Sequence, residues 1–264
     1  LDTIPQLESR SHVLPVGLDL ATLHAARPNS AANHPENPVH PVQRKSPHPE
    51  NPVHPVQKTP PNSENPTQPD PKTIFNPEHP VHPVEKTPPL ILWNQRWEYD
   101  KDPAGFFNTL YAIQEEGIPF RLALCGENFR RRPQEFDAAL ERLAGQIMHS
   151  GYAPREQYHA LLWQADITLS TARHEFFGLS ILEAIAAHTF PILPHRLSYP
   201  ELIPEPFHQR CLYQNEPGRV ERLRWALAHP AERREIATAL AASVRQFAWP
   251  TVAEQYDRRL AALV

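Results

Sequence analysis

Leu90-Ile91-Leu92-Trp93-Asn94-Gln95-Arg96-Trp97-Glu98-Tyr99-Asp100-Lys101-Asp102-Pro103 is the stretch whose reading decides the fold. Four apolar residues follow the pair Pro88-Pro89. A charged loop comes next, and Pro103 then opens a segment with apolar residues at Phe106, Phe107, Leu110 and Ile113, ending at Gly117. The apolar run does not alternate, so it reads as a strand covered on both faces. The segment after it has helical spacing, with Pro where a helix tolerates it best. Strand, loop and helix in that order form the repeating unit of an open parallel sheet.

The unit recurs downstream. Strands are predicted at Phe120–Cys125, Gln146–His149, Ile167–Ser170 and Phe190–Leu193, with a weak one at Cys211–Tyr213. Helices are predicted at Pro103–Glu116, Pro133–Ala144, Pro154–Gln164, Leu179–Ala187, Arg219–Ala228, Ala231–Phe247 and Thr251–Leu263. Residues 90–264 therefore read as an α/β, Rossmann-like, doubly wound parallel sheet. Ligands of that architecture bind outside the carboxyl ends of the strands. Loops 94–102, 126–132, 150–154, 171–178 and 194–201 are the ones to inspect.

Upstream the sequence changes character. The 264 residues include 32 Pro and only 8 Gly. Seventeen of the Pro lie in 34–89, which has no Gly, while 90–264 holds 12. His34–Pro47 (HPENPVHPVQRKSP) and His48–Pro61 (HPENPVHPVQKTPP) repeat with a period of 14, and the pattern continues in degraded form to Pro89. Pro at this density fits neither a helix interior nor a central strand. The segment 34–89 is predicted to be a disordered or polyproline-II-like linker. Its six His have no ligand spacing that suggests a metal. A ligand for a Pro-binding partner domain and a spacer are two further readings. A tolerated expansion in a surface loop is the plainest, since long loops cost little closure entropy.

Composition excludes several classes. No apolar run is long enough for a membrane-spanning helix. Two cysteines, Cys125 and Cys211, make neither a disulfide framework nor a zinc site, and fit free thiols in a reducing cytoplasm. The formal net charge of −4 shows no overall basic character of the kind nucleic-acid binding brings. The chain lacks an initiator Met and a signal-peptide pattern, so it is read as beginning inside a longer protein.

The loops carry the candidate chemistry. Arg96 and Lys101 precede a predicted helix, a placement that suits a diphosphate; a solvated charged loop is the alternative. Lys101 is the sole Lys beside 18 Arg in 90–264, which hints at a compact ammonium charge. Ser170–Gly178 reads STARHEFFG and leads into a helix carrying Glu183. Glu175 lies in the loop. Glu183 interrupts an apolar helix, where a carboxylate needs a partner, and can accept from vicinal hydroxyls such as those of a ribose. Gly151 permits close backbone approach, and Tyr152 either lines a base pocket or packs in a turn. Arg130-Arg131-Arg132 reads as a solvated loop before a phosphate or RNA contact. Cys125 reads as a buried thiol before a nucleophile.

With those residues in hand, the chain resembles the nucleotide-binding, C-terminal half of a GT-B glycosyltransferase. Glu175-x7-Glu183 with Phe177-Gly178 resembles the E-x7-E pattern of retaining family-4 enzymes, and Arg96 with Lys101 resembles that family's phosphate-binding pair. The strings ILWNQRWEYDKDP (91–103), FRLALCGENF (120–129), HSGY (149–152), STARHEFFGLSILEA (170–184) and LPHRLSYPELIP (193–204) resemble, in order, the tRNA-queuosine mannosyltransferase family. Val13–Leu20 resembles its interdomain segment. On that resemblance residues 1–33 are an interdomain segment and the end of a missing N-terminal, acceptor-binding domain, 34–89 a linker, and 90–264 the donor domain.

The resemblance implies GDP-mannose as donor and queuosine in tRNA as acceptor, in the cytoplasm. Arg96 and Lys101 would hold the diphosphate, and Glu183 the ribose hydroxyls. Glu175, with the backbone of Phe176, Phe177, Gly178 and Leu179, would face sugar and phosphate. Gly151 and Tyr152 would meet the guanine. Glu175, Arg96 and Lys101 would be the catalytic set, with no metal and no further cofactor. The alternatives are transfer to a lipid or polysaccharide acceptor, and a non-catalytic nucleotide-sugar-binding remnant with a Pro-rich interaction segment. Residues 90–264 carry 19 basic and 21 acidic side chains, so attraction for tRNA is expected to come from the missing half.

Overall fold

The computed structural model of the protein describes residues 16–28, 87–126 and 133–262. The readings of the Pro-rich segment up to residue 86 and of Arg130–Arg132 lie outside those residues. In chain order the helices and strands are α1 (Leu20–Ala25), β1 (Leu90–Asn94), α2 (Pro103–Glu115), β2 (Arg121–Cys125), α3 (Gln134–Arg142), β3 (Ile147–Gly151), α4 (Arg155–Gln164), β4 (Ile167–Leu169), α5 (Leu179–Ala186), β5 (Phe190–Pro194), α6 (Tyr199–Leu202), α7 (His208–Cys211), β6 (Leu212–Tyr213), α8 (Glu216–Ala228), α9 (Pro230–Ser243) and α10 (Trp249–Ala261).

The six strands form one parallel sheet in the order β3-β2-β1-β4-β5-β6. This is the Rossmann-like, doubly wound sheet expected from the sequence. The order reverses between β1 and β4, and the crevice outside the carboxyl ends of those two strands is where such sheets hold ligands. All five residues of β1 are buried, which is why its sequence is continuously apolar until Asn94. Trp93 is enclosed by Phe106, Phe107 and Phe136, with ring centroids at 4.7, 6.5 and 5.6 Å. Burying an aromatic side chain of this kind contributes about 2–3 kcal/mol, so the aromatic cluster fixes α2 and α3 against the sheet. Asp166 accepts from the Leu90 amide at 2.9 Å and pairs with the buried Arg233 of α9. That contact pins the start of β1.

Residues before the Pro-rich segment share this core. Leu18, Leu20 and Leu23 are buried, and Leu18 bridges to Ala248 with hydrogen bonds to Phe247 O (2.8 Å) and from Trp249 N (2.9 Å).

Several element ends differ from the sequence reading. Ser150 and Gly151 are strand residues paired with Leu124 and Cys125, because backbone pairing with β2 outlasts the apolar run. Cys211 closes α7 instead of opening a strand, leaving β6 with two residues. The predicted helix Ala231–Phe247 breaks after Ser243, whose hydroxyl bonds back to Leu240 O at 2.7 Å, and a 3₁₀ turn covers Val244–Phe247. The helix predicted from Arg219 starts at Glu216, since Asn215 caps it by accepting from Gly218 N. Loop 194–201 contains the first residues of α6, and a 3₁₀ turn at Tyr99–Lys101 lies in loop 94–102.

Candidate functional site

The loops after β1 and β4 are laced together at the switch point. Arg173 N and His174 N donate to Asp100 O (2.8 and 3.2 Å), and Thr171 Oγ1 donates to Lys101 O and Asp102 O (2.8 and 2.9 Å). This lacing buries Lys101, which is 7% exposed. Its ammonium donates to His174 O at 2.7 Å and to Glu175 Oε2 at 3.2 Å, and lies 3.4 Å from Asp100 Oδ2. A cation out of water at that cost needs such partners.

Glu175 is held from both sides. Its Oε1 accepts from Phe176 N (3.0 Å) and Gly178 N (3.1 Å) at the start of α5, while Oε2 faces Lys101. Gly178 turns the chain at φ +94°, and a Cβ there would lie 2.9 Å from Leu202 Cδ1. Only Gly takes that turn without strain. Arg96 joins the cluster through Asp100: it sits 3.0 Å from Glu98 Oε2 and 3.6 Å from Asp100 Oδ2, with half its side chain in solvent. Asp100 Oδ1 and Gln95 Oε1 are buried without a hydrogen bond from the described residues, and a buried acceptor left open in this way fits a site that a ligand completes.

Glu183 lies further along α5. Tyr158 of α4 donates to its Oε2 at 2.7 Å; its Oε1 accepts no hydrogen bond from the described residues. Burial pushes its carboxyl pKa up, opposed by the Tyr158 hydrogen bond and by the charges of His159 and Arg155. Asn94 closes the arrangement: its amide donates to Ser180 O at 2.6 Å and reaches Tyr158 Oη at 3.4 Å. β1 is thereby tied to the helix that carries Glu183.

The structure thus brings Lys101, Glu175, Arg96 and the amides of Phe176 and Gly178 together around the switch point, in the loop that leads into α5, which carries Glu183. Phe177 turns inward, packing on Phe247 at 5.7 Å. The Phe176 side chain points into water, 96% exposed, and Leu179 is partly exposed. Gly151, which ends edge strand β3, and Tyr152, which follows it, lie apart, two strands from β1. Tyr152 is 65% exposed, not packed in a turn. Gly126 brings the β2 loop against the β1 loop, for a Cβ at its φ of +129° would lie 2.4 Å from Gln95 O. Cys125 and Cys211 are buried, and burial pushes both thiols up to about 12, which leaves them inert as nucleophiles. Tyr158 and Asn94 were missed by sequence reasoning. Asn94 had a signal, a polar residue closing an apolar strand; Tyr158 had none, because only the packing of α4 on α5 gives it a partner.

The six-stranded parallel sheet, with an order common to doubly wound folds, matches the C-terminal domain of the GT-B fold. A family model described as "Glycosyl transferases group 1" matches residues 75–241, well over half of the sequence. The chain belongs to that family. Among curated relatives, the tRNA-queuosine alpha-mannosyltransferase of Drosophila melanogaster is 39% identical over 115 residues, covering 44% of this chain and 30% of that protein. The GDP-mannose:cellobiosyl-diphosphopolyprenol alpha-mannosyltransferase of Xanthomonas oryzae is 30% identical over 105 residues, covering 39% and 28%. The chain therefore spans about three tenths of the length of the curated relatives it matches. Two solved structures share the fold: the catalytic domain of cholesterol-alpha-glucosyltransferase from Helicobacter pylori (TM-score 0.52, 18% identity, 61% of this chain and 99% of that one) and sucrose-phosphate synthase from Thermosynechococcus elongatus (TM-score 0.57, 20% identity, 67% and 45%). No helix among the described residues is long and apolar enough to cross a membrane.

Proposed function

We propose that this chain is the donor-binding half of a retaining mannosyltransferase that takes GDP-mannose and delivers the sugar to queuosine in tRNA. One observation carries the donor reading: Lys101, Glu175 and the loop amides of Phe176 and Gly178 converge at the β1/β4 switch point, while Glu183 on the α5 that follows has a carboxylate oxygen that accepts no hydrogen bond from the described residues. A diphosphate needs fixed cations and dipoles, and a ribose needs an acceptor for its hydroxyls.

On this reading Lys101 and Arg96 hold the diphosphate and meet the negative charge that grows as it leaves, so the route uses no metal. Glu175, with the Phe176–Leu179 backbone, faces the sugar and its phosphate. Tyr158 and Asn94 orient Glu183 toward the ribose. Gly151 and Tyr152 lie toward the base, three strand spacings of about 4.8 Å from β4. On this reading most of the acceptor side belongs to a second domain, which the short coverage of both curated relatives supports.

The acceptor reading leans on the Drosophila relative, and the Xanthomonas relative supports a lipid diphosphate as the second reading. Calorimetry with GDP-mannose tests the donor: no binding by folded protein at millimolar ligand rejects it. Mass spectrometry of tRNA nucleosides from a deletion strain tests the acceptor: unchanged mannosyl-queuosine moves the assignment to the lipid.

A further inference from the structure

The carboxyl ends of β4, β5 and β6 open on a second cavity of about 400 Å³. Arg173 follows β4, Arg196 follows β5, and Arg219 projects from the first turns of α8 after β6. The carboxylates in the same wall are Asp102 and Glu216. Three guanidiniums against two carboxylates leave positive charge in excess, in a chain whose formal net charge is −4.

Of these three arginines, Arg173 alone makes a close ion pair among the described residues. Arg219 is 6% exposed and lies over the Tyr213 ring at 5.5 Å. Its Nε donates to Thr109 Oγ1, its Nη2 lies 3.8 Å from Glu216 Oε1, and its guanidinium also interacts with the Tyr213 hydroxyl. Arg196 has no carboxylate partner among the described residues; its Nη2 reaches Ala172 O (3.1 Å) and Thr171 O (3.5 Å). Arg173 pairs with Asp102 at 2.9 Å and is largely exposed. A guanidinium without a close carboxylate is costly to bury, and its planar fork matches the oxygens of a phosphate. In the same loop as Arg173, Phe176 holds its ring in water. An exposed ring in a loop that also carries a guanidinium supplies the two elements that hold single-stranded RNA, a ring to stack on a base and a cation for a phosphate.

We infer that the Arg173–Arg196–Arg219 cavity is an acceptor subsite for a backbone phosphate of RNA, with Phe176 stacking on a neighbouring base. This rests on the acceptor reading above. It also adds a local source of RNA affinity to a half whose overall charge supplies none.

The test is fluorescence anisotropy of a labelled anticodon-type RNA hairpin with the full 264-residue chain, at low and rising salt, with and without GDP. The double variant Arg173→Ala/Arg196→Ala alters side chains that reach solvent. It is expected to bind RNA roughly tenfold or more weakly, with a salt slope smaller by about one, at unchanged GDP affinity. Phe176→Ala is expected to lose about tenfold in RNA affinity. Wild-type chain that does not bind the hairpin at low salt, or a double variant that binds it equally well, overturns the inference. Arginine-dependent binding of geranyl diphosphate without RNA binding overturns it in favour of a lipid headgroup. Arginine-dependent RNA binding without GDP binding would fault the donor reading and leave this subsite standing.

Discussion

Two carboxylates eight positions apart, Glu175 and Glu183, have opposite surroundings. Glu175 is fully engaged: an ammonium holds one oxygen and two amides the other. Glu183 sits where burial raises its pKa, with a tyrosine hydroxyl on one oxygen and no hydrogen bond from the described residues on the other. The first region is built to hold charge in place. The second bears the cost of a poorly compensated carboxylate, which suits a group kept ready to accept hydrogen bonds from a ligand. Stability is given up where a ligand is expected to restore it.

Removing the cation is the strongest way to break this comparison. Lys101→Ala leaves Glu175 and Asp100 without their ammonium; stability is expected to fall by roughly 3 kcal/mol, read by urea denaturation, and GDP-mannose affinity by about 100-fold. Affinity near wild type in a folded variant would remove the phosphate role. Next is Gly178→Ala, which must hold a side chain at positive φ against Leu202; a loss of about 1–3 kcal/mol is expected, with the amides on Glu175 displaced.

Glu183 is expected to behave in the opposite sense. Glu183→Ala should weaken nucleotide binding by about tenfold or more. Glu183→Gln should raise the melting temperature at pH 7, by about 2–4 °C for each kcal/mol relieved. Burial raises the folded-state pKa of Glu183 above its unfolded value, so the folded state keeps the proton to higher pH. Wild-type stability from this group then falls as pH rises from the ordinary carboxylate range through the raised value. The advantage of Gln should disappear below that range. A pH-independent difference would mean that burial does not strain this carboxylate. Tyr158→Phe removes the one hydrogen bond to Glu183 and is expected to cost about 1 kcal/mol in thermal or chemical unfolding. Tyr152→Ala, at an exposed position, is expected to leave stability within about 0.5 kcal/mol and to change only nucleotide affinity, by a few-fold.

Much of the fold was legible because parallel strands are buried on both faces. Leu90–Trp93, Leu122–Cys125 and Phe190–Leu193 announce themselves as unbroken apolar runs. The element ends were less legible. Gly151 continues β3 because β2 offers it a pairing partner, and α8 starts at a cap that Asn215-Glu216-Pro217-Gly218 presents as a loop. In the site, Lys101 stood out as a lone Lys among many Arg, and Glu183 as a charge in an apolar helix. The partners of both were hidden, since His174 O and Tyr158 reach them only across long stretches of chain.

The sequence by itself determined the alternation of buried strands and helices, and with it the sheet and the loops at its carboxyl end, because these follow from local periodicity. Only the tertiary structure decided that Glu175 is neutralised and Glu183 is not. It also decided that Arg173, Arg196 and Arg219, from two loops and a helix, share one cavity. Charge compensation and desolvation depend on distances across the fold, and no spacing along a chain encodes those.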